Sequence, residues 1–196
     1  MIKDVSLVTR LENPPQPGEW TLADYQRLTA ETDTRYEVIA GVLYKMPPPS
    51  TLHQLLVTKL IMRLGNLIET NAQGILYASP IEVILPEIAT PVQPDLVFVR
   101  NERRSIIKKN RIEGPPDLVI EILSPSSIRY DRVTKFEAYE TSGIQEYWIL
   151  NPKTQSLEIY NLEDGLYNLH NEYNLDEPVH SPLLGDLAFT TGSLFE

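Results

Sequence analysis

One six-residue run, Leu118-Val-Ile-Glu-Ile-Leu123, places a carboxylate inside a stretch that is otherwise typical of a buried β-strand. Burying an unpaired carboxylate is costly, so Glu121 needs a cation, a hydrogen-bond partner or a raised pKa. The alternative is a half-exposed strand face on which Glu121 pairs with a surface base. The run therefore predicts a strand of a sheet, with a partner or a chemical role for its one acid.

Other short β-branched and aromatic runs, bounded by proline and glycine, predict the rest of the sheet. Single strands are expected over 75–85, 95–99, 117–123 and 146–150. Two hairpins are expected, over 36–44 with a turn at Ala40-Gly41 and over 156–170 with a turn at Glu163-Asp-Gly165. These hairpins flank the single strands in the chain.

Three stretches have the pattern of helices. Thr21-Leu-Ala-Asp24 resembles a capping box that opens a short helix to about residue 31. Ser50 caps a longer helix, and an apolar stripe runs along it at helical spacing. The stripe comprises Leu52, Leu56, Leu60, Leu64 and Leu67, flanked by Leu55, Ile61 and Ile68. A third helix is expected over 131–142, with Gly143 at its C-terminal cap. The order of elements predicts an α/β domain with a mixed sheet.

The length of 196 residues fits a single domain, expected over 20–190 between an N-terminal arm (1–19) and a C-terminal tail (191–196). The absence of cysteine excludes disulfides, thiolate nucleophiles, Cys-based zinc sites and iron–sulfur clusters. No segment resembles a signal peptide or a membrane span, so we expect a cytoplasmic protein.

The net charge of −10 argues against a nucleic-acid partner, because DNA binding neutralises phosphates with Lys and Arg. The charge is unevenly distributed, however. Residues 154–196 carry eight acids and no base, whereas nine of the 17 bases lie within residues 100–135. This basic window is either a solvated loop or a surface that contacts phosphates.

Several familiar catalytic motifs are absent. There is no dinucleotide fingerprint, no P-loop and no G-x-S-x-G elbow. Ser105-Ile-Ile-Lys108 matches S-x-x-K, but in a basic, loop-like stretch. The three histidines are too scattered for a helical zinc pair, and His170 and His180 are expected to be solvated.

Two carboxylates on neighbouring strands would form a hard-oxygen site suited to Mg²⁺ or Mn²⁺. Asp95 opens a strand after Gln93-Pro94, Glu121 lies within another, and Lys135 follows one helix later. Each has a simpler explanation: Asp95 as a turn residue, Glu121 on a half-exposed face, and Lys135 in a surface pair with Asp131. Asp117 also follows a proline, but it lies about 13 Å along the strand from Glu121, too far to share an ion.

Six motifs follow one another in a specific order. They are Tyr36-Glu-Val-Ile-Ala-Gly-Val, Met46-Pro-Pro-Pro-Ser-Thr-Leu-His53, Gln93-Pro-Asp-Leu, Pro116-Asp-Leu-Val-Ile-Glu-Ile-Leu-Ser-Pro-Ser126, Lys135, and Gly143-Ile-Gln-Glu-Tyr-Trp-Ile-Leu-Asn-Pro152. This order resembles the Uma-type family of restriction-endonuclease-like proteins in bacteria, within the PD-(D/E)XK nuclease superfamily. The resemblance covers roughly residues 20–190. It implies a mixed central sheet flanked by helices and Mg²⁺-dependent hydrolysis of phosphodiester bonds.

The resemblance also assigns residues. It matches Asp95 to the PD aspartate and Glu121 to the second metal-binding acid. The superfamily lysine is expected two residues after the glutamate, where this chain has Leu123, and the Uma-type pattern moves it to the next helix, at Lys135. Glu37 and His53 occupy family-typical positions and either line the cleft or are a hairpin surface acid and a helix-start histidine.

These observations support a metal-dependent DNA endonuclease, in which Asp95 and Glu121 bind Mg²⁺ and Lys135 orients water or steadies the phosphate. Cutting both strands of a duplex is most easily achieved by a homodimer, which we expect here. A different class is a non-catalytic module that binds nucleic acid or protein on the same fold. A third is an interaction protein with no nucleic-acid role, which the net charge favours.

Overall fold

A computed structural model of the protein describes residues 13–88 and 91–196, and it centres on a six-stranded mixed sheet. The strands along the chain are β1 (Tyr36–Ile39), β2 (Val42–Lys45), β3 (Gly74–Ala78), β4 (Glu82–Ile84), β5 (Leu96–Arg100), β6 (Arg111–Glu113), β7 (Leu118–Ile122), β8 (Glu146–Asn151), β9 (Ser156–Glu163), β10 (Leu166–Tyr173), β11 (Pro178–Ser181) and β12 (Gly185–Thr190). The central sheet has the order β10-β9-β8-β7-β5-β3, and only its β7–β8 pair is parallel. The predicted α/β class with a mixed sheet is confirmed.

Helices cover both faces of this sheet. They are α1 (Leu22–Thr29), α2 (Thr51–Thr70), a π-helix (Tyr130–Lys135) that continues directly into α3 (Phe136–Thr141), and 3₁₀ turns at Pro86–Ile88, Asn101–Ile106 and Gly192–Leu194. Leu118, Ile120 and Ile122 of β7 pack in one core with α2 and the β11–β12 hairpin. Because side chains alternate along a strand, Val119 and Glu121 face the opposite side, against α3. Glu121 therefore points into the second core.

The helix starts follow the predicted capping chemistry. Thr21 and Asp24 form a reciprocal capping box at α1, and the Ser50 side chain accepts a hydrogen bond from the His53 backbone at α2. The buried stripe of α2 is Leu56, Val57, Leu60, Leu64 and Ile68. Burying each of these side chains contributes roughly 1.5–3 kcal/mol. Leu52, Leu55 and Ile61, which were expected in the stripe, are exposed instead, because they lie outside the face of the helix that packs on the sheet.

The prediction of a single strand over 75–85 is wrong. The chain forms β3 and β4 in different sheets, and Pro80 lies in the break between them, where its missing N–H cannot join a ladder. β4 pairs in parallel with β6, a three-residue strand that no local pattern predicts. The β11–β12 hairpin is a further unpredicted element. Both predicted hairpins are present, as β1–β2 and β9–β10.

The chain ends bear on the predicted domain limits. Residues 1–12 of the expected N-terminal arm lie outside the described residues. At the other end, Leu194 of the expected tail is fully buried and joins the core of α2. Within the described chain, no helix combines the length and hydropathy that crossing a membrane requires.

Candidate active site

The pairing of β5 with β7 brings the two predicted acids side by side. In this antiparallel ladder Leu96 lies opposite Ile120, so continuing the register by one residue sets Asp95 opposite Glu121. Asp95 Oδ2 accepts a hydrogen bond from the Ile122 backbone N–H at 2.8 Å, which fixes the side chain against β7. Two acids that are 26 positions apart in sequence thus meet where β5 begins and β7 ends, in the middle of the sheet.

Lys135 reaches the same point from the π-helix. Its Nζ donates to Glu121 Oε1 at 2.7 Å and lies 3.8 Å from Asp131 Oδ1. The side chain of Lys135 is 1% exposed and that of Glu121 is 4% exposed, so both surface-pair alternatives are wrong. The Tyr139 hydroxyl also donates to Glu121 Oε1, at 2.7 Å. π-Helices are rare, and those that occur are often found at functional sites. This one carries the only basic group that contacts Glu121 among the described residues.

Glu37 lies behind Lys135, within the β1–β2 hairpin. Its Oε1 is 3.2 Å from Lys135 Nζ and accepts the Gln93 backbone N–H at 2.6 Å. Its Oε2 accepts the Tyr130 hydroxyl at 2.8 Å. Glu37 is fully buried and is not in the lining of the adjoining cavity. Both alternatives predicted for Glu37 are therefore wrong, because it neither lines the cleft nor lies on the hairpin surface but is a buried partner of Lys135.

His53 contacts Asp95. Its Nε2 lies 3.0 Å from Asp95 Oδ2, and its side chain is 13% exposed. The buried Nδ1 has no hydrogen-bond partner within the described chain. A proton on Nε2 lets the ring donate to the carboxylate, so His53 and the Ile122 N–H hold the same oxygen of Asp95.

A cavity of about 760 Å³ opens at this cluster. Asp95, Glu121, Asp131, Lys135 and His53 all line it. The three predicted site residues and His53 are therefore brought together around one space, and the structure adds Asp131.

Three carboxylates, of Glu37, Glu121 and Asp131, lie within 4 Å of the Lys135 ammonium group, and Asp95 adds a fourth carboxylate to the same cavity cluster. Burial raises the pKa of Glu121 well above its usual range, and the other carboxylates reinforce this shift against the opposing effect of Lys135. Burial would by itself lower the pKa of Lys135, but Glu121, Glu37 and Asp131 hold it above its ordinary value. The cluster thus keeps a charged lysine and an excess of negative charge, which either a proton or a cation must offset.

Asp131 gives this excess a measurable pH dependence. Burial raises its pKa from 3.8 to about 6. The folded protein therefore binds this proton more tightly than the unfolded chain, and the free energy of unfolding falls as the pH rises through that interval. We expect Asp131→Asn to gain stability relative to wild type by on the order of 2 kcal/mol between about pH 4 and pH 7.

Urea denaturation of both proteins across this range measures the difference. A stability difference that stays constant with pH would contradict the assignment of the buried proton to Asp131. Asp164→Asn, at an exposed hairpin turn, is the matched control for the substitution itself.

Three side chains beyond the predicted set contact Glu121, Glu37 or Lys135. They are Tyr130, Asp131 and Tyr139. Asp131 and Tyr139 each stand four positions from Lys135, the spacing that puts side chains on one helix face. That spacing was the signal available in the sequence, although the i, i+4 relation of Asp131 and Lys135 is equally typical of a surface pair.

The donor set fits a small divalent cation. Within residues 13–88 and 91–196, no three His, Asp or Glu side chains are arranged to hold a metal ion by themselves. Mg²⁺ commonly takes only one or two carboxylates and completes its shell with water and substrate phosphate. Asp95 Oδ1 and Glu121 Oε2 each accept no hydrogen bond from the described residues, so one oxygen of each acid is available.

The basic window lies mostly away from this cavity. Of its nine bases, only Lys135 is in the lining. Arg103 pairs with Asp117 at 3.1 Å, and Arg132 pairs with Glu158. Asp117 also accepts the Arg100 backbone N–H, so this second PD-type aspartate anchors a loop and takes no part in the site. His170 and His180 are exposed, as expected.

Comparisons with known proteins show the family of the chain and its fold. A family model described as "Uma2: Putative restriction endonuclease" matches residues 22–192. Among solved structures, the chain is similar to a crystal structure from Anabaena variabilis described as a "putative nuclease belonging to DUF820". The two share 19% identity with a TM-score of 0.74, over 89% of this chain and 97% of that one, which shows a common fold. No curated protein matches the chain.

Proposed function

Since the chain belongs to the Uma2 family, described as "putative restriction endonuclease", we propose that it is a divalent-cation-dependent endonuclease that hydrolyses phosphodiester bonds in DNA. The observation that carries this proposal is the meeting of Asp95, Glu121 and Lys135 at one cavity. Two acids on neighbouring strands can hold a divalent cation, and the lysine from the following helix can stabilise charge on a phosphoryl group.

The two acids are the proposed metal ligands. Asp95 and Glu121 supply hard oxygen donors, which suit Mg²⁺ and also Mn²⁺. When bound, such an ion activates a water and stabilises the charge that develops on the phosphoryl group. The excess of carboxylates over ammonium groups in the cluster favours binding of a cation, because a cation neutralises charge that otherwise requires a buried proton.

The surrounding residues have supporting roles in this proposal. Lys135 stays charged and offers its ammonium group to the attacking water or to the phosphate oxygens. Glu37 and Asp131 keep Lys135 protonated and oriented. His53 and the Ile122 N–H hold Oδ2 of Asp95, and its Oδ1 would be available to hold the ion.

Cleavage of closed circular DNA tests the proposal, because circles have no ends and report endonuclease activity alone. We expect the protein to open a supercoiled plasmid and a single-stranded circle in Mg²⁺ or Mn²⁺, and EDTA to stop the reaction. DNA binding without cleavage in either ion would instead favour the non-catalytic binding module. Neither binding nor cleavage would favour an interaction protein with no nucleic-acid role.

A further inference from the structure

The depth of the reactive groups restricts which nucleic acids reach them. Counted over whole residues, Lys135 is 1% exposed, Asp131 2% and Glu121 3%. They form the floor of the cavity of about 760 Å³. A phosphodiester must therefore enter the cavity before Lys135 and Glu121 can act on it. The backbone of an intact duplex is held by its paired partner strand, which hinders this descent.

The walls and mouth of the cavity are largely apolar. We define the rim as Leu52, Ile128 and five prolines, Pro47, Pro48, Pro49, Pro125 and Pro152. Leu52 is 44% exposed and Ile128 is 42% exposed. Apolar walls with a few polar groups at the base are typical of sites that enclose a ligand's apolar portion. Bases and sugars of an unpaired strand present such surfaces, whereas the bases of a duplex are stacked inside it.

The charge at the rim is low for a protein that binds a duplex. Apart from Lys135, the basic residues that line the cavity are Arg35 and Lys153. Duplex binding typically involves several phosphate contacts by Lys and Arg. Of the nine bases in the basic window only Lys135 lines the cavity, and Arg103, Arg111 and Arg132 pair with acids outside it.

We propose that the substrate of this site is an unpaired DNA strand, whose bases and sugars contact the apolar rim while one phosphodiester descends to Lys135 and Glu121. This inference rests on the proposed nuclease function and specifies its substrate class. Arg35 and Lys153, the other basic residues of the lining, are the groups that would contact neighbouring phosphates of this strand.

Three circles of the same sequence test the inference. They are a single-stranded circle, a relaxed duplex circle, and a relaxed duplex circle that contains a bubble of mismatched bases. We expect the single-stranded circle to be cut at least about tenfold faster than the relaxed duplex, with cuts in the third circle confined to the bubble. Equal rates on the single-stranded and fully paired circles would overturn the substrate assignment alone. Cleavage of none of the circles would overturn the proposed function as well.

Variants of the rim test whether its apolar side chains contact the unpaired strand, or whether an unpaired strand is preferred only because it can enter the cavity. We expect the double variant Leu52→Ser, Ile128→Ser to raise KM for the single-stranded circle by about tenfold while kcat changes little. Both side chains are partly exposed, so the variant is expected to fold. Leu166→Ser, at an exposed leucine of β10 outside the cavity lining, is the matched control and should keep the wild-type KM. An unchanged KM in the double variant would contradict the role of the rim.

Discussion

Glu121→Gln is expected to lower the rate of metal-dependent DNA cleavage by at least about 100-fold, because it replaces a charged ligand with a neutral amide. The fold should persist. The amide oxygen of Gln can still accept the hydrogen bonds that Lys135 and Tyr139 donate to Oε1. Burial also raises the pKa of Glu121, so removing its charge relieves a cost in the protein without metal. We therefore expect the free energy of unfolding without metal to stay at the wild-type value or to increase.

Asp95→Asn should have a comparable effect on cleavage for the same reason. Its amide oxygen can still accept from the Ile122 N–H. Asp117→Asn is the matched control. Like Asp95, Asp117 follows a proline and immediately precedes a strand, which is β7, the strand of Glu121. It is buried, yet it pairs with Arg103 outside the cavity. We expect Asp117→Asn to keep the wild-type rate per folded molecule. Loss of activity in Asp117→Asn, together with wild-type activity in Glu121→Gln, would contradict the assignment of Glu121 to the site and of Asp117 to a structural role.

Lys135→Met is expected to combine a large loss of activity with a large loss of stability. The substitution leaves Glu37, Glu121 and Asp131 buried without their shared cation. Removing one partner of a buried ion pair typically costs about 3–5 kcal/mol, and we expect a loss of this size at pH 7.5. At about pH 5 the loss should be smaller, because carboxylates with raised pKa values take up protons and no longer need the lysine.

Denaturant titrations at the two pH values measure this effect, and Lys109→Met, at an exposed position outside the cavity lining, is the control. Equal losses at both pH values would contradict the view that Lys135 neutralises these carboxylates. The cleavage rate per folded molecule, measured in the same samples, separates the loss of catalysis in Lys135→Met from its loss of stability. A rate within threefold of wild type would remove Lys135 from the proposed catalytic set.

Local chemistry explains which parts of this fold were predictable. The capping box at Thr21 and Asp24 and the start of α2 at Ser50 depend on side chains within three positions of one another. The acid in β7 was conspicuous because every other residue of the run is apolar. Such features are encoded in short windows of sequence, so their structural consequences follow with few alternatives.

The remaining features depend on contacts that no short window encodes. Tyr130 and Glu37 are 93 positions apart, and their hydrogen bond joins the π-helix to the β1–β2 hairpin. The exposure of Leu52 depends on which face of α2 packs on the sheet, since Leu52 stands four positions before Leu56 and so has the spacing of the buried stripe. β4 and β6 are three residues long and are defined by pairing with each other across the chain.

Binding of Mn²⁺, followed by electron paramagnetic resonance, tests the central claim most directly. We expect the wild-type protein to bind Mn²⁺, with Mg²⁺ competing for the site, and Asp117→Asn to bind it equally well. Glu121→Gln and Asp95→Asn should each weaken binding by at least about tenfold. Wild-type affinity in both of these variants would contradict the claim that Asp95 and Glu121 hold the catalytic cation.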